Sequence, residues 1–152
     1  MHTLERTQRL PITVEEAWNF FSSPKNLKKI TPPYMGFHIK YGGESPMYAG
    51  MIIKYTVTPL LGIPMTWVTE ITHVEDKSFF VDEQREGPYA IWHHQHHFKA
   101  IPNGVEMTDI VNYKLPLGIL GEWIEPFLVK SKVNEIFEYR NKKMIELFGE
   151  YK

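Results

Sequence analysis

The residues best suited to chemistry lie in one short segment, GPYAIWHHQHHF, which runs from Gly87 to Phe98. It holds four of the seven histidines of the chain, together with a tryptophan and a phenylalanine. If the segment is a β-strand, its side chains alternate between the two faces of a sheet. One face then carries only aromatic and imidazole side chains, namely Trp92, His94, His96 and Phe98. Turned into a protein interior, such a face suits metal binding, acid–base catalysis or the lining of a cavity.

Metal binding is the first of these roles. His94 and His96 lie on one face, roughly 6–7 Å apart along the backbone, a spacing that can chelate one ion. Asp109 is the candidate third ligand, because a tight hairpin at Pro102-Asn103 would place it directly opposite His96. A register shifted by one step on the same face would place it opposite Phe98 and still diagonal to His96. Nothing else nearby is a ligand by its spacing. We therefore predict neither a bound metal nor another cofactor, although a site with two histidines and one carboxylate is geometrically possible.

Acid–base catalysis is the second role. A buried carboxylate fixes the tautomer of a neighbouring histidine and stabilises its imidazolium form, which a general base requires. His96 and Asp109 fit this description, and His94 or Tyr113 would be the second proton-transfer group. The sequence contains no nucleophile motif, glycine-rich phosphate loop or dinucleotide fingerprint that would favour a particular enzyme class.

The third role requires no reaction. Buried polar groups usually find hydrogen-bond partners, and ligand pockets are mostly apolar with a few placed polar groups. His94, His96 and Asp109 would then be a satisfied polar network in the wall of a cavity. The predicted ligand-contacting residues are Tyr55, Trp67, Trp92, His94, His96, Phe98, Asp109, Tyr113, Phe127 and Phe137. His93 and His97 fall on the opposite face and are predicted to point to solvent.

Composition predicts one globular domain over residues 1–152. Hydrophobic residues make up 43% of the chain and charged residues 23%, which are ordinary values for globular proteins. The 17 basic and 18 acidic residues nearly balance, so nothing favours nucleic acid or an anionic membrane as a partner. The chain has no cysteine, and its charged first segment lacks the apolar core of a signal peptide. We therefore expect a cytoplasmic protein without stable membrane insertion.

Two short helices after one strand mark the beginning of the chain. Alternation from His2 to Leu10 predicts the strand. The first helix begins at a capping box formed by Thr13 and Glu16, and the second begins at Pro24, a helix position that tolerates proline. This order of elements is a useful marker of topology.

Residues 37–113 show the alternation and the turn spacing of antiparallel strands. Together with the first strand they predict a sheet of about seven strands, although the strand at 79–86 has no clear inward face. A meander of that length tends to curl, so its concave apolar face must be covered by another element.

The longest periodic segment of the chain would cover that face. Apolar side chains from Trp123 and Phe127 onwards fall near one stripe, which predicts a long amphipathic helix that ends at Gly149. Trp123 and Phe127 are assigned to the core with the rest of the stripe. Pro126 marks the start of the helix or a kink in it.

Two loops are unusually apolar for loops at a protein surface. They are PLLGIP at 59–64 and LPLGILG at 115–121. Four interpretations are open, because the loops could form a portal for a ligand, touch a membrane, pack against each other or dock a partner protein.

The order of the elements and four segments carry a family resemblance. The segments are LPITVEEAWNFFSSPKNLKKITPP, DEQREGPYAIWHHQHHF, MTDIVNYKLPLGILG and IFEYR. Over essentially the whole chain they resemble the START-like or SRPBCC superfamily, which includes polyketide cyclase/dehydrase-like and coenzyme Q-binding domains. The resemblance implies an α+β helix-grip fold, in which a curved antiparallel sheet grips a long C-terminal helix with a hydrophobic ligand between them.

The sequence therefore predicts a protein that binds or carries a small hydrophobic molecule, such as a lipid, a quinone or a polyketide. The first alternative is a cyclase, dehydratase or isomerase that uses His96 and Asp109. The second alternative is an interaction or regulatory module that docks a partner through the apolar loops. A homodimer is compatible with all three.

Overall fold

A computed structural model describes residues 1–59 and 62–152 of the chain. Its strands are β1 His2–Leu10, β2 His38–Tyr41, β3 Ile52–Val57, β4 Met65–Glu75, β5 Phe79–Glu86, β6 Ile91–Ile101 and β7 Gly104–Lys114. They form one sheet in the order β1-β7-β6-β5-β4-β3-β2, and every neighbouring pair is antiparallel. The sheet is therefore a meander from β2 to β7, with β1 added beside β7, as the sequence predicts.

The short helices after β1 are α1 Val14–Phe21 and α2 Pro24–Leu27, which continues as a 3-10 segment over Lys28–Ile30. The predicted capping box starts α1. Thr13 Oγ1 accepts a hydrogen bond from the backbone N–H of Glu16 at 3.1 Å, and the Glu16 carboxylate accepts one from the backbone N–H of Thr13 at 3.0 Å. Such a cap stabilises a helix by about 1 kcal/mol. Trp18 of α1 packs edge-on against Phe80 and Phe98, which fixes this helix on β5 and β6.

The C-terminal helix consists of three consecutive segments, namely α3 Gly118–Ile124, a π-helical segment Glu125–Val129 and α4 Lys130–Phe148. It begins inside the segment 115–121, so the prediction of a loop over that whole segment is wrong. Pro126 lies in the π-helical segment, and its ring and missing N–H explain why the regular α-helix is interrupted there. Of the two predicted roles of Pro126, the start of the helix is wrong, because α3 precedes this proline.

The assignment of Trp123 and Phe127 to the core is wrong, because their side chains are 76% and 81% exposed. A π-helical turn holds more residues than an α-helical turn, so it rotates the preceding residues away from the stripe that continues in α4. In α4 the buried residues are Val133, Phe137 and Met144.

The buried side of α4 packs on the sheet edge formed by β7 and β1. Val133 and Phe137 share a cluster with Val111 and Tyr113 of β7. Met144 belongs to a second cluster that contains residues of β1, α1, β5, β6 and β7. The sheet and the long helix thus form the α+β helix-grip fold. Strands β5 to β7 turn one face of the sheet toward the helix.

The register of β5, β6 and β7 determines which polar side chains meet. The predicted tight hairpin is confirmed, because Ile101 pairs with Gly104 and Asn103 takes a φ of 59°. His96 is therefore directly opposite Asp109, as expected for this turn. On the other side of β6, His94 is opposite Asp82 of β5.

Candidate functional site

A cavity lies between the sheet and the helices. Its volume is about 170 Å³, close to the ~150 Å³ of an engineered protein cavity that binds benzene. Residues of α1, α2, β3 to β6 and α4 line it, and most of them are aromatic or aliphatic. The largest lining side chains include Phe21, Phe37, Tyr55, Trp67, Tyr89, Trp92 and Phe137. The cavity therefore suits a compact molecule with a large apolar surface.

Two polar tips of the aromatic wall, those of Trp67 and Tyr55, meet at Thr69. Trp67 Nε1 donates a hydrogen bond to Thr69 Oγ1 at 3.1 Å, and the Tyr55 hydroxyl lies 3.2 Å from the same oxygen. Burial, with a smaller contribution from the charge of Asp82, raises the pKa of Tyr55, so this hydroxyl stays protonated. This part of the wall offers a ligand mainly apolar contact.

Four titratable side chains form one cluster beside the cavity: Asp82, His94, His96 and Asp109. His94 Nε2 is 2.8 Å from Asp109 Oδ1, and His96 Nε2 is 2.6 Å from Asp82 Oδ2. The second ring nitrogens also face carboxylates, since His96 Nδ1 lies 3.1 Å from Asp109 Oδ1 and His94 Nδ1 lies 3.7 Å from Asp82 Oδ2. Each imidazole is thus placed between the same two carboxylates.

The carboxylates and burial act in opposite directions on the histidines. Burial lowers the pKa of His96, but its contacts with Asp109 and Asp82 outweigh burial and raise that pKa above its ordinary value. For His94, burial and then the charge of His96 hold the pKa below its ordinary value despite the contact with Asp109. His96 is therefore the more readily protonated of the two rings, and His94 is the ring that stays neutral.

Both carboxyl groups are ionised. Burial by itself would raise their pKa values, but hydrogen bonds and charges from His94 and His96 hold the pKa of Asp82 and of Asp109 below the usual range. The cluster therefore combines two carboxylates with a neutral His94 ring and a His96 ring that protonates more readily.

Ring packing holds the two imidazoles in place. The centroids of the His94 and His96 rings are 3.7 Å apart, and the Phe80 ring stacks on His96 at 4.1 Å. Phe137 of α4 and Trp92 of β6 contact His94 edge-on at 5.8 Å and 6.3 Å. The orientation of the histidines is thus set by packing as well as by the carboxylates.

Arg140 of α4 brings a positive charge to the same cavity. Its guanidinium carbon lies 5.0 Å from the centre of the Phe137 ring, a cation–π distance. Its Nε atom is buried and has no hydrogen-bond partner within residues 1–59 and 62–152. Because a buried charged donor without an acceptor is costly, this group is available to an oxygen atom of a ligand.

Six of the ten residues predicted to contact a ligand line the cavity, namely Tyr55, Trp67, Trp92, His94, His96 and Phe137. Asp109 does not line it and reaches it only through the two histidines. Phe98 and Tyr113 are buried in core clusters outside the lining. Phe127 is exposed on the π-helical segment and does not reach the cavity.

Asp82 and Arg140 are site residues that sequence reasoning missed. Asp82 lies on the strand whose inward face the sequence leaves undecided, because Phe79 and Phe80 begin its two faces equally well. The sequence signal for Asp82 is its position two residues after Phe80. If Phe80 points inward, the carboxylate points inward too and can pair with the inward histidines. Arg140 carried a weaker signal, since an arginine within the apolar stripe of a helix is unusual.

The opposite face of the same strands carries a second set of histidines. His93 Nδ1 is 2.7 Å from the Glu83 carboxylate, and His97 Nε2 is 3.0 Å from the Gln95 side-chain oxygen. These groups are partly exposed and do not line the cavity, as expected from the alternation.

An apolar surface surrounds the start of the C-terminal helix. Its exposed side chains are Leu117, Ile119, Leu120, Trp123, Phe127 and Leu128. Leu60 and Leu61 of the other apolar segment lie outside the described residues, so a portal or docking role for 59–64 and 115–121 stays a prediction. In the part of the chain that is described, no helix is long and apolar enough to cross a membrane.

Solved structures of similar shape place this architecture among known folds. No protein-family model and no curated protein matches the chain. Protein CV1439 of Chromobacterium violaceum is similar with a TM-score of 0.74 at 13% identity, over 99% of this chain and all (100%) of that one. TTHA0849 of Thermus thermophilus has a TM-score of 0.69 at 16% identity over 95% of each chain. Major latex-like protein 151 of Panax ginseng has a TM-score of 0.67 at 10% identity over 97% of each.

The chain has the helix-grip fold. At these identities the similarity concerns the fold alone, so function has to be argued from the cavity and its polar cluster.

Proposed function

We propose that the protein binds a small molecule with a large apolar surface, of lipid-, quinone- or polyketide-like chemistry, in the cavity between the sheet and the helices. The observation that carries this proposal is the cavity of about 170 Å³ with its wall of aromatic side chains. Aromatic walls provide apolar contact at a low cost in side-chain entropy. Membership of the START-like or SRPBCC superfamily belongs to the same proposal, and the fold and the quoted sequence segments support it.

The ligand also carries an oxygen atom that accepts a hydrogen bond. Arg140 supports this part of the proposal, since its side chain lines the cavity and its buried Nε has no acceptor among the described residues. A carboxylate or a carbonyl group could accept that hydrogen bond while the apolar body contacts Trp67 and Trp92.

Calorimetric titration with cinnamate and cinnamyl alcohol tests both parts. These probes share an apolar body and differ in the charge at one end. We expect both to bind, and cinnamate to lose at least about tenfold in affinity in Arg140→Met, because its partner is removed. Cinnamyl alcohol should bind the variant nearly as well. Equal effects of Arg140→Met on the two probes would contradict the role of Arg140.

A matched pair of substitutions on α4 tests the cavity itself. Ile136→Trp would fill the cavity that Ile136 lines, whereas Ile145→Trp adds the same ring at a partly exposed position outside the lining. We expect Ile136→Trp to weaken cinnamyl alcohol binding about tenfold and Ile145→Trp to leave it within about twofold. Unfolding temperatures of both variants verify that they fold. Binding that is the same in the two variants would place the ligand elsewhere.

An acid–base enzyme of cyclase, dehydratase or isomerase type is the second candidate function. The observation that favours it is the His94–Asp109 hydrogen bond, which fixes the proton of His94 on Nε2 and leaves Nδ1 to act as a base. His94, His96 and Asp82 all line the cavity, so a bound ketone would lie near them, and Arg140 could polarise its oxygen.

Deuterium exchange tests this second candidate. In D₂O the base would remove a proton next to the carbonyl group of bound benzylacetone and return a deuteron, which NMR detects without any net reaction. We expect exchange above the buffer rate in the wild-type protein and its loss in His94→Gln and His96→Gln, with benzylacetone binding retained. Exchange that persists in both variants would exclude this use of the histidines.

The remaining expectations from the sequence are not decided by the cavity. Docking through the apolar segments, a homodimer and a cytoplasmic location stay predictions.

A further inference from the structure

Three residues of the polar cluster place metal-ligating atoms close together. One ligand atom from each of Asp82, His94 and His96 lies within 4.8 Å of the other two. All three side chains line the cavity and are mostly buried, so the group differs from an exposed acidic patch that water and salt can satisfy. Two imidazoles and one carboxylate are also the donor set that zinc and non-haem iron sites use.

The fourth member of the cluster orients the two imidazoles. Asp109 lies behind them and contacts His94 Nε2 at 2.8 Å and His96 Nδ1 at 3.1 Å. With those nitrogens turned to Asp109, the ring nitrogens that remain, His94 Nδ1 and His96 Nε2, both face Asp82. Metal-binding histidines usually donate their other N–H to a carboxylate in this way.

The arrangement also has an open side. Because three ligands leave coordination positions vacant, and because these ligands line the cavity, the vacant positions would face whatever occupies it. Arg140 of α4 also lines the cavity, and its guanidinium lies over the Phe137 ring.

We propose that Asp82, His94 and His96 bind one divalent transition-metal ion, such as Zn²⁺ or Fe²⁺, while Asp109 positions the two histidines. This arrangement differs from the one suggested by sequence, in which Asp109 was the third ligand. Binding replaces the hydrogen bond between His96 and Asp82 by two coordinate bonds, and the shared proton leaves to solvent. The site does not depend on the identity of the molecule in the cavity.

Zinc titration of metal-stripped protein tests the site. We expect one Zn²⁺ per chain by calorimetry, with affinity reduced at least about 100-fold in Asp82→Asn, His94→Gln and His96→Gln. Asp109→Asn should reduce affinity about 10- to 100-fold, as is usual for a residue that orients metal ligands. The matched control is His93→Gln, which removes the histidine of the outward pair with Glu83 and should leave zinc affinity within about twofold.

Two outcomes would overturn the proposal. One is the absence of stoichiometric zinc binding, and the other is binding that His93→Gln weakens as much as His94→Gln does. Because an inward variant could fail to fold, NMR of the wild-type protein gives an independent measurement. Zinc should shift the imidazole nitrogen resonances of His94 and His96 and leave those of His93 in place, whereas shifts confined to His93 would contradict the site.

Discussion

The two faces of β5 and β6 carry similar residues in different surroundings. Asp82 is opposite His94 on the inward face, and Glu83 is opposite His93 on the outward face, at adjacent positions of the register. The inward pair has side-chain exposures of 16% and 6%, and the outward pair has 30% and 32%. The inward pair also meets a second histidine and a second carboxylate, whereas the outward carboxylate meets His93 and Arg85.

Both faces pair histidine with a carboxylate, so this pairing does not distinguish the candidate site from the outward pair. Burial does. In water the attraction between two such charges is small, and in a low-dielectric interior it is much larger. The pKa values of the four inward side chains are therefore shifted from their ordinary values, and the two imidazole rings are held in fixed orientations. An exposed pair contributes about 1 kcal/mol or less to stability, and removing one member of a buried pair costs about 3–5 kcal/mol.

The largest expected difference between the faces concerns the rings that stack on the histidines. Phe80 is buried and stacks on His96 at 4.1 Å, whereas Phe79 is partly exposed and stacks on His97 at 5.6 Å. Phe80→Ala should lower the free energy of unfolding by about 4 kcal/mol, since it leaves a cavity and frees a buried imidazole. Phe79→Ala should cost about 1 kcal/mol. Urea denaturation measures both, and equal losses would show that the two faces are supported alike.

The next difference concerns the carboxylates. Asp109→Asn keeps the shape and one acceptor oxygen but removes the buried charge that contacts both histidines, so we expect a loss of about 3 kcal/mol in metal-free protein. The matched substitution Glu83→Gln on the outward face should cost about 1 kcal/mol or less. The same denaturation experiment compares them. A small effect of Asp109→Asn would mean that the cluster contributes little to folding.

Most of the fold could be predicted from the sequence. Local patterns are strong in this chain: alternation fixed β1 at His2–Leu10, the capping box placed α1, and the turn at Pro102-Asn103 set the β6–β7 register. The exception was the C-terminal helix. An apolar stripe does not reveal a change of helical phase, so it wrongly predicts Trp123 and Phe127 in the core.

The site was less predictable because it depends on distant contacts. The pair His96 and Asp109 followed from one short hairpin, whose register the sequence can determine. The role of Asp82 depends on β5 pairing with β6, and both faces of β5 begin with a phenylalanine. The role of Arg140 depends on how α4 lies over the sheet, which no local pattern encodes.

The smallest expected difference is in the response to salt. Mobile ions screen the partly exposed Glu83 carboxylate from His93 and Arg85, but they do not enter the buried cluster. We expect the stability difference between wild type and Glu83→Gln to shrink by about half between low salt and 1 M sodium chloride, where the screening length falls to about 3 Å. The difference between wild type and Asp109→Asn should stay constant. Comparing differences removes the general effect of salt on the protein, since it is common to all three proteins. If both differences shrink together, ions reach the inward carboxylates, and the contrast between the two faces is one of degree.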